Sequence, residues 1–516
     1  MAKTAQDEVV AFLSRAEAYG DVGTKVERKE TQISLVFLAG DYAYKLPRAI
    51  RLSFLDFTPL EERRRVCEAG LKLNSRTAPG MYHACWPVTR EASGALALNG
   101  SGTPLDYVLV MRRFDQELIF DRLLKAERLT PELLDRLAAR IHAFHEAEEP
   151  IIEGDLGGPG ALRRVLDSNI EEIESFPRLF PRDAAAALHT RLGRALDDAA
   201  PQLARRKAEG QVRHCHGDLH LRNIVLWEGA PRLFDCLEFD AAMATIDVLY
   251  DLAFLVMDLD ARGRRDLANR VLGRSLLLSG DYGGLAVLPL FLALRSHIRA
   301  FVAAGGAAVA QEPQEKQRLE EEASDYFERA GGYLDPPPPR LIAVGGLSGS
   351  GKSTLAGALA PEIGAAPGAL HLRSDLLRKQ LAGVSDSERL PASAYSQASS
   401  DEVYAELRRR AGAALAAGHS VILDAVHAKP EERAAAEAVA REAGAAFTGI
   451  WLEAPRQTLL DRVEARRGDA SDATPQVVAR QLGYDLGEIS WRCLAAGGGL
   501  RATLRRARAC LLENQD

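Results

Sequence analysis

At 516 residues, 47% of them hydrophobic and 27% charged, the chain is too long for one core, which rarely grows past ~250 to 300 residues, so two or three domains are expected. Its formal charge of −7 gives no reason to expect nucleic-acid binding, and no stretch reaches the ~20 uninterrupted apolar residues of a membrane span. The opening MAKTAQDEVV lacks the apolar core of a signal peptide, and scattered cysteines with no CxxC pair or metal spacing read as reduced thiols; a cytoplasmic protein is the expectation.

The first predicted element is a β-hairpin in ETQISLVFLAGDYAYKL, where Ile33, Leu35 and Phe37 alternate, Ala39-Gly40-Asp41 turns, and the return strand carries Lys45. TPLEERRRVCEAGLKLN then reads as a helix with Thr58 as N-cap, Pro59 at the first helical position and Glu61 completing a capping box. From about 116 to 210, and again from about 247 to 333, the pattern is helical, with one hairpin near 224 to 235. A small strand-rich lobe followed by a helical lobe is the expected order. The helix EKQRLEEEASDYFERA is predicted to end at Gly331 and Gly332, before GGYLDPPPPR, whose four prolines continue neither helix nor sheet. The expected domains are therefore 1–334 and 341–516, joined by a stiff Pro-rich linker at 335–340.

Within the first domain, HGDLHLRN places Asp218 five residues before Asn223. At that spacing an aspartate can orient an acceptor hydroxyl while the asparagine binds a metal. The hairpin that follows returns Asp235 beside Asn223, adding the second oxygen donor that a metal bridging ATP phosphates requires. Lys45 stands where a strand lysine would hold the α and β phosphates. His216 and His220 are expected to shape the loop by hydrogen bonding. Asp247 and Asp251, four apart, are expected to tie one helix face to it, and His142 and His145 to lie on a packed or solvated helix face.

On Lys45, His216-Gly217-Asp218, Asn223 and Asp235, residues from about 25 to 300 resemble the aminoglycoside phosphotransferase (APH-like) family of small-molecule kinases. The resemblance implies an α+β, protein-kinase-like bilobal fold, ATP with magnesium, and an acceptor hydroxyl on a small molecule. The chain departs from a kinase pattern in having no GxGxxG loop. Glu61, Glu62 and Glu68 compete as the helix partner of Lys45, with Glu68 favoured, while Gly70 occupies another position where such a partner could stand.

The second domain opens with RLIAVGGLSGSGKSTLAGAL, a buried-type strand, a glycine-rich turn and a helix. Gly346, Gly351, Lys352 and Ser353 satisfy G-x-x-x-x-G-K-[ST], and Gly349 and Thr354 complete the expected phosphate contacts. Backbone amides and the helix N-terminus favour an anion there, Lys352 reaches the β and γ phosphates, and Ser353 can hold magnesium. Asp375, three residues before Arg378, and Asp424 are expected at the ends of the second and third strands, facing the loop across an open parallel sheet. A later helix carries Arg462, Arg466 and Arg467, the first two on one face as a lid.

Residues from about 340 to 500 thus resemble the P-loop small kinases related to zeta toxin, chloramphenicol phosphotransferase and polynucleotide kinase. That resemblance implies an α/β P-loop fold in which Asp375 acts on the acceptor hydroxyl, Arg378 binds substrate, Arg462 and Arg466 close the lid, and Asp424 serves magnesium or anchors the loop. The whole chain resembles bacterial fusions of an APH-like kinase with an AAA-type P-loop domain. The leading expectation is an ATP- or GTP-dependent, magnesium-dependent phosphotransferase with two sites, acting on hydroxyls of sugar-, aminosugar- or antibiotic-like molecules. One alternative is a single catalytic domain regulated by a nucleotide-binding P-loop domain. Another is a toxin-like kinase of a cell-wall precursor or RNA end.

Overall fold

The computed structural model describes residues 5–20, 25–31, 33–52, 55–466 and 469–512. Two compact units emerge: residues 1–179 with 203–255 and 301–323, and residues 180–202 with 256–300 and 324–516. Residues 335–340 lie inside the second.

Helix α1 (Ala5–Leu13) leads into strands β1 (Glu27–Glu30), β2 (Ser34–Ala39) and β3 (Tyr42–Pro47) and a small hairpin, β4 (Arg51–Leu52) and β5 (Leu55–Asp56). Helix α2 (Leu60–Thr77) precedes β6 (Tyr82–Arg90), β7 (Leu96–Leu98) and β8 (Thr103–Arg112). Six of these strands form one antiparallel sheet in the order β1-β2-β3-β8-β6-β7. Its strands alternate between faces at period two. Phe37, Tyr44, Leu46, Val108 and Val110 pack with Val9 and Leu13 of α1, while Leu38, Ala43, Leu109 and Met111 pack with Cys67 of α2. The expected hairpin is present, turning at Gly40 with φ +56°. The expected capping box is not: α2 starts one residue later with Pro59 as N-cap, because the Thr58 backbone and hydroxyl both donate to Asp56.

Helices α3 (Phe120–Lys125), α4 (Pro131–Ala147), α5 (Pro159–Glu174) and α6 (Arg182–Ala208) follow. Then come β9 (Val212–His214), the hairpin β10 (Ile224–Trp227) and β11 (Ala230–Leu233), α7 (Ala241–Ala244), β12 (Thr245–Asp247) and α8 (Val248–Ala261). Asp247 ends β12 instead of sharing a helix face with Asp251; its carboxylate takes a buried bidentate pair from Arg206 at 2.7 and 2.8 Å and caps Leu249 N at 2.8 Å.

Helices α9 (Arg265–Ser279), α10 (Leu288–Val309) and α11 (Pro313–Tyr333) complete the helical part. By length and composition α10 could cross a membrane, but 67% of its apolar window is buried in the protein. Helix α11 runs through Gly331 and Gly332 instead of ending there. Tertiary contacts override the weak helix propensity of glycine: Arg191 donates to Gly331 O at 2.8 Å, and the buried Tyr333 donates to Asp260 at 2.6 Å.

The second unit is built on a parallel sheet. Strand β13 (Arg340–Gly346) leads to α12 (Lys352–Leu359), β14 (Leu370–Arg373), α13 (Ser374–Leu381), α14 (Gln397–Ala416) and β15 (Val421–Asp424). Then come α15 (Pro430–Glu442), β16 (Ala446–Glu453), α16 (Arg456–Ala465), α17 (Pro475–Gln481), β17 (Arg492–Ala495) and α18 (Leu500–Leu512). The order is β14-β15-β13-β16-β17, every pairing parallel. Covered on both faces, central β13 is a continuous apolar run, as buried parallel strands require. The β14 edge is covered within the same unit by α9, whose Asn269 donates to Ala369 O at 2.9 Å and whose Arg265 donates to Gly364 O at 2.8 Å. Gln380 of α13 donates to Leu277 O, and Arg410 of α14 donates to the Tyr282 hydroxyl at 3.0 Å.

Two candidate phosphate sites

In the first unit, Lys29, Val36, Lys45 and Leu109 are successive cross-strand neighbours and so share one face of the sheet. A cleft of about 330 Å³ opens at the end of the sheet where β8 finishes, lined by Lys29, Leu38, Phe114 and Gln116 among others. Lys45 Nζ lies 2.6 Å from Asp235 and 2.8 Å from Glu238. Burial alone would lower the Lys45 pKa, but the Asp235 and then the Glu238 carboxylate more than offset this and hold it well above the usual lysine range. Burial pushes the Glu238 carboxyl up, against the pull of Lys45.

Asp235 itself has φ +62°, and its backbone N–H donates to the Tyr82 hydroxyl at 3.0 Å. Asn223 donates to the Asp218 carboxylate at 2.8 Å and to its carbonyl at 3.0 Å, so the acidic end of the loop is drawn toward the residue five positions on. Both loop histidines act as supports. His216 Nε2 bonds Phe234 O at 3.0 Å, and His220 Nδ1 accepts from Arg222 N at 3.2 Å.

From α8, Asp251 accepts from the backbone amides of His216 and Gly217 at 3.2 and 2.9 Å and bonds His145 at 2.9 Å. The ligand-type atoms of His145, Cys215 and Asp251 lie within 4.8 Å of one another, a buried proximity that the scattered sequence positions do not announce. Here the aspartate is engaged by backbone and imidazole donors that fix the loop. The expected pairing of Lys45 with Glu68 does not form. Glu68 stands on the exposed side of α2, bonded to Arg64 at 2.9 Å, and the glutamate that reaches Lys45, beside Asp235, is Glu238, which sequence spacing had not singled out. Its one sequence signal is a glutamate three residues after Asp235.

In the second unit the strand ends converge. Val344 of β13 and Arg373 of β14 are both register partners of Asp424, so the loop after β13, the end of β14 and the end of β15 meet at one edge of the sheet. Gly349 has φ +84°, and a Cβ there would stand 2.5 Å from Leu459 O; only glycine lets the loop pass so close to α16. Gly346, at φ +136°, and Gly351, at φ +94°, turn the loop into α12, whose first residues are Lys352, Ser353 and Thr354. Lys352 is half-buried and donates to Leu347 O at 3.1 Å; desolvation lowers its pKa despite the nearby Asp424 and Asp375. The Ser350 hydroxyl is buried without a hydrogen-bond partner among the described residues. An anion cradled by this loop would supply one.

Asp375, expected at the end of the strand, lies two residues past it in the first turn of α13, and its carboxylate makes no hydrogen bond or ion pair among the described residues. Arg378, one turn on, donates to Ala394 O at 2.6 Å, and its guanidinium lies 4.8 Å from the Tyr395 ring centre. Burial would raise the Asp424 pKa, but the His371 hydrogen bond at 3.1 Å and the charges of His371, Arg373 and Lys352 hold it below the usual carboxylate range. Arg373, also missed in sequence, spans two carboxylates, at 3.7 Å from Asp424 and 2.7 Å from Asp469.

The expected pair of lid arginines separates. Arg462 donates to Gly349 O, Ser350 O and Gly498 O at 3.3, 3.4 and 3.0 Å, bracing the loop. Arg466 falls just past the end of α16, so the i, i+4 geometry is lost, and it pairs with Asp469 at 3.5 Å. Arg467 lies outside the described residues.

Two kinase-type phosphate devices on two units define an enzyme of the phosphotransferase class. Residues 86–288 match the phosphotransferase enzyme family (APH) and residues 341–484 the AAA domain family (AAA_33), and the chain is a kinase that transfers phosphoryl groups to a hydroxyl acceptor. It belongs to the family of the Mycobacterium tuberculosis H37Rv protein Rv2004c, with 31% identity over 472 residues that cover 90% of this chain and 91% of that one. Among solved structures, a gluconokinase from Sinorhizobium meliloti 1021 is similar at 23% identity, covering 34% of this chain and 93% of its own, with a TM-score of 0.26. A choline/ethanolamine kinase family protein from Mesorhizobium loti is similar at 14% identity, covering 64% of this chain and 95% of its own, with a TM-score of 0.37.

Proposed function

We propose that the chain is an ATP- and magnesium-dependent kinase with two transfer sites, each acting on a hydroxyl of a sugar-, aminosugar- or antibiotic-like small molecule, with segment 335–340 as the junction between the two family modules. The observation that carries this reading is the meeting of Lys45 with Asp235, 190 residues later in the chain, at 2.6 Å beside the Asp218 and Asn223 loop. In the first unit Lys45 holds the nucleotide phosphates, the cleft at Leu38 and Phe114 takes the base, and Asp218 orients the acceptor hydroxyl. In the second, Lys352 and the loop amides hold the phosphates, with Gly346, Gly349 and Gly351 letting the backbone close in and Ser353 and Thr354 opening α12 beneath them. Asp375, whose carboxylate has no hydrogen-bond partner among the described residues, orients the second acceptor, and Arg378 and Arg466 contact substrate and transferring phosphoryl oxygens.

The oxygen donors Asn223 and Asp235 in one site, and Ser353 and Asp424 in the other, suit a small hard cation. Magnesium held there would neutralise phosphate charge. The remaining work is positioning by the chain's own residues.

The test is untargeted mass spectrometry of a metabolite extract incubated with ATP, magnesium and the full-length protein, beside Asp218→Asn and Lys352→Ala variants. A metabolite that gains two phosphates, one lost in each variant, is the expected result. If every new phosphate depends on Asp218 and Lys352→Ala changes only the amount, the P-loop is a control element and the two-site reading falls.

A further inference from the structure

Helix α2 faces Lys45 without offering it a carboxylate. Glu61, Glu62 and Glu68 pair with Arg64 and Arg65 on the exposed side, and the buried positions of the helix are Arg63, Val66, Cys67, Gly70, Asn74 and Thr77. Arg63 is itself committed to Asp106 at 2.8 Å. Gly70 is the gap: a Cβ added there would lie 3.1 Å from Leu109 Cδ2 and 3.9 Å from Glu238 Cγ. Leu109 is the cross-strand neighbour of Lys45. The absent side chain thus leaves room where Glu238 enters to reach the lysine.

The segment that delivers Glu238 is fixed from two sides. Cys236 N donates to Asn74 Oδ1 of α2 at 2.8 Å, and Leu237 N donates to His216 O of the loop at 3.0 Å. The two carboxylates on Lys45 are also unequal. The Asp235 side chain is 44% exposed, open to a second claimant, whereas that of Glu238 is 10% exposed. A buried ammonium needs a partner that stays when the other is called away.

We propose that Glu238 is the positioning residue that holds Lys45 on the nucleotide phosphates, delivered from the chain after Asp235 through the space left by Gly70, in place of a glutamate on α2. This rests on reading the first site as a nucleotide site. Glu238 touches neither nucleotide nor acceptor in this scheme; it acts through Lys45.

The experiment measures the affinity of ATP with Mg²⁺ by calorimetry in full-length protein carrying Lys352→Ala, so that the first site alone is read. Glu238→Ala is expected to weaken binding about tenfold or more, as Lys45→Ala does, while Glu68→Ala stays within about twofold of the parent. Gly70→Glu added to Glu238→Ala is expected to restore most of the loss, which a merely structural role for Glu238 would not allow. Should Glu238→Ala fail to fold, Glu238→Gln, of the same shape without the charge, carries the comparison. If Lys45→Ala weakens binding and neither Glu238 variant does, the inference falls and the nucleotide site stands. If Lys45→Ala itself binds as the parent does, the site reading falls. An unrescued double variant overturns the assignment of Gly70 as the vacated position.

Discussion

Asp218 and Asp375 occupy comparable chemical positions with different surroundings. Asp218 is drawn to Asn223 at 2.8 Å, with His220 3.4 Å away, whereas Asp375 has no such partner among the described residues. Replacing Asp218 by Asn keeps the shape and removes the charge that, in the proposed function, orients a hydroxyl. It is expected to lower transfer at the first site by about 10²- to 10⁴-fold, with ATP affinity nearly unchanged, as steady-state kinetics on the identified acceptor would read. Arg462 makes the opposite kind of contribution, bracing the loop through the carbonyls of Gly349 and Ser350. Arg462→Ala is expected to weaken nucleotide binding at the second site about tenfold without loss of fold, read by calorimetry in a Lys45→Ala background. Where candidate residues gather was legible where the pattern is local. The Gly-rich loop and HGDLHLRN are short, and their spacing alone marks them as candidates. Glu238 and Arg373 were not legible, because each acquires its meaning from a partner brought in by another element.

At the scale of elements, the same divide separates what backbone pattern dictates from what packing decides. The apolar run of β2, packed on both faces, and the continuous apolar run of β13 are written in the residues themselves. The passage of α11 through Gly331 and Gly332 depends on Arg191 and Asp260, and no local signal announces it. The early end of α16, which strands Arg466, is of the same kind. Helix α13, which carries Asp375 and Arg378, is tied to the last turn of α9 through Gln380 and Leu277, and Arg274 pairs with Asp386 beyond α13 at 2.6 Å. A chain beginning at residue 336 would leave the β14 edge and the buried face of α14 uncovered. Such a fragment is expected to melt several degrees below the corresponding transition of the full-length protein and to aggregate, as calorimetry and light scattering would report; equal melting would show the helical segment to be dispensable.

For the molecule as a whole, acid sensitivity follows from buried histidines. His297 and His419, both in the second unit, are pushed down by burial to about 3 and about 4. In the unfolded chain a histidine titrates near 6.5, so between that value and about 4 the unfolded state binds protons that the folded state refuses. The stability they support is complete above about pH 7 and is lost as the pH falls toward 4, at up to about 1.4 kcal/mol per pH unit for each. Urea unfolding of the second unit is expected to shift to lower midpoint between pH 7 and pH 5, and His297→Leu to remove one histidine's share of that slope.

The second unit is assembled from three separated stretches of chain, and synthesis delivers them in order. The face of α9 that meets the β14 edge, carrying Arg265, Asn269 and Gly273, leaves the ribosome well before β14 exists to receive it. Between Gly273 and Leu370 the wait, at roughly 5–20 residues per second, is on the order of ten seconds. During that interval the uncovered helix is a natural target for a holding chaperone. Nascent chains stalled before residue 370 should therefore retain such a helper, and chains stalled after the complete sheet has emerged should release it.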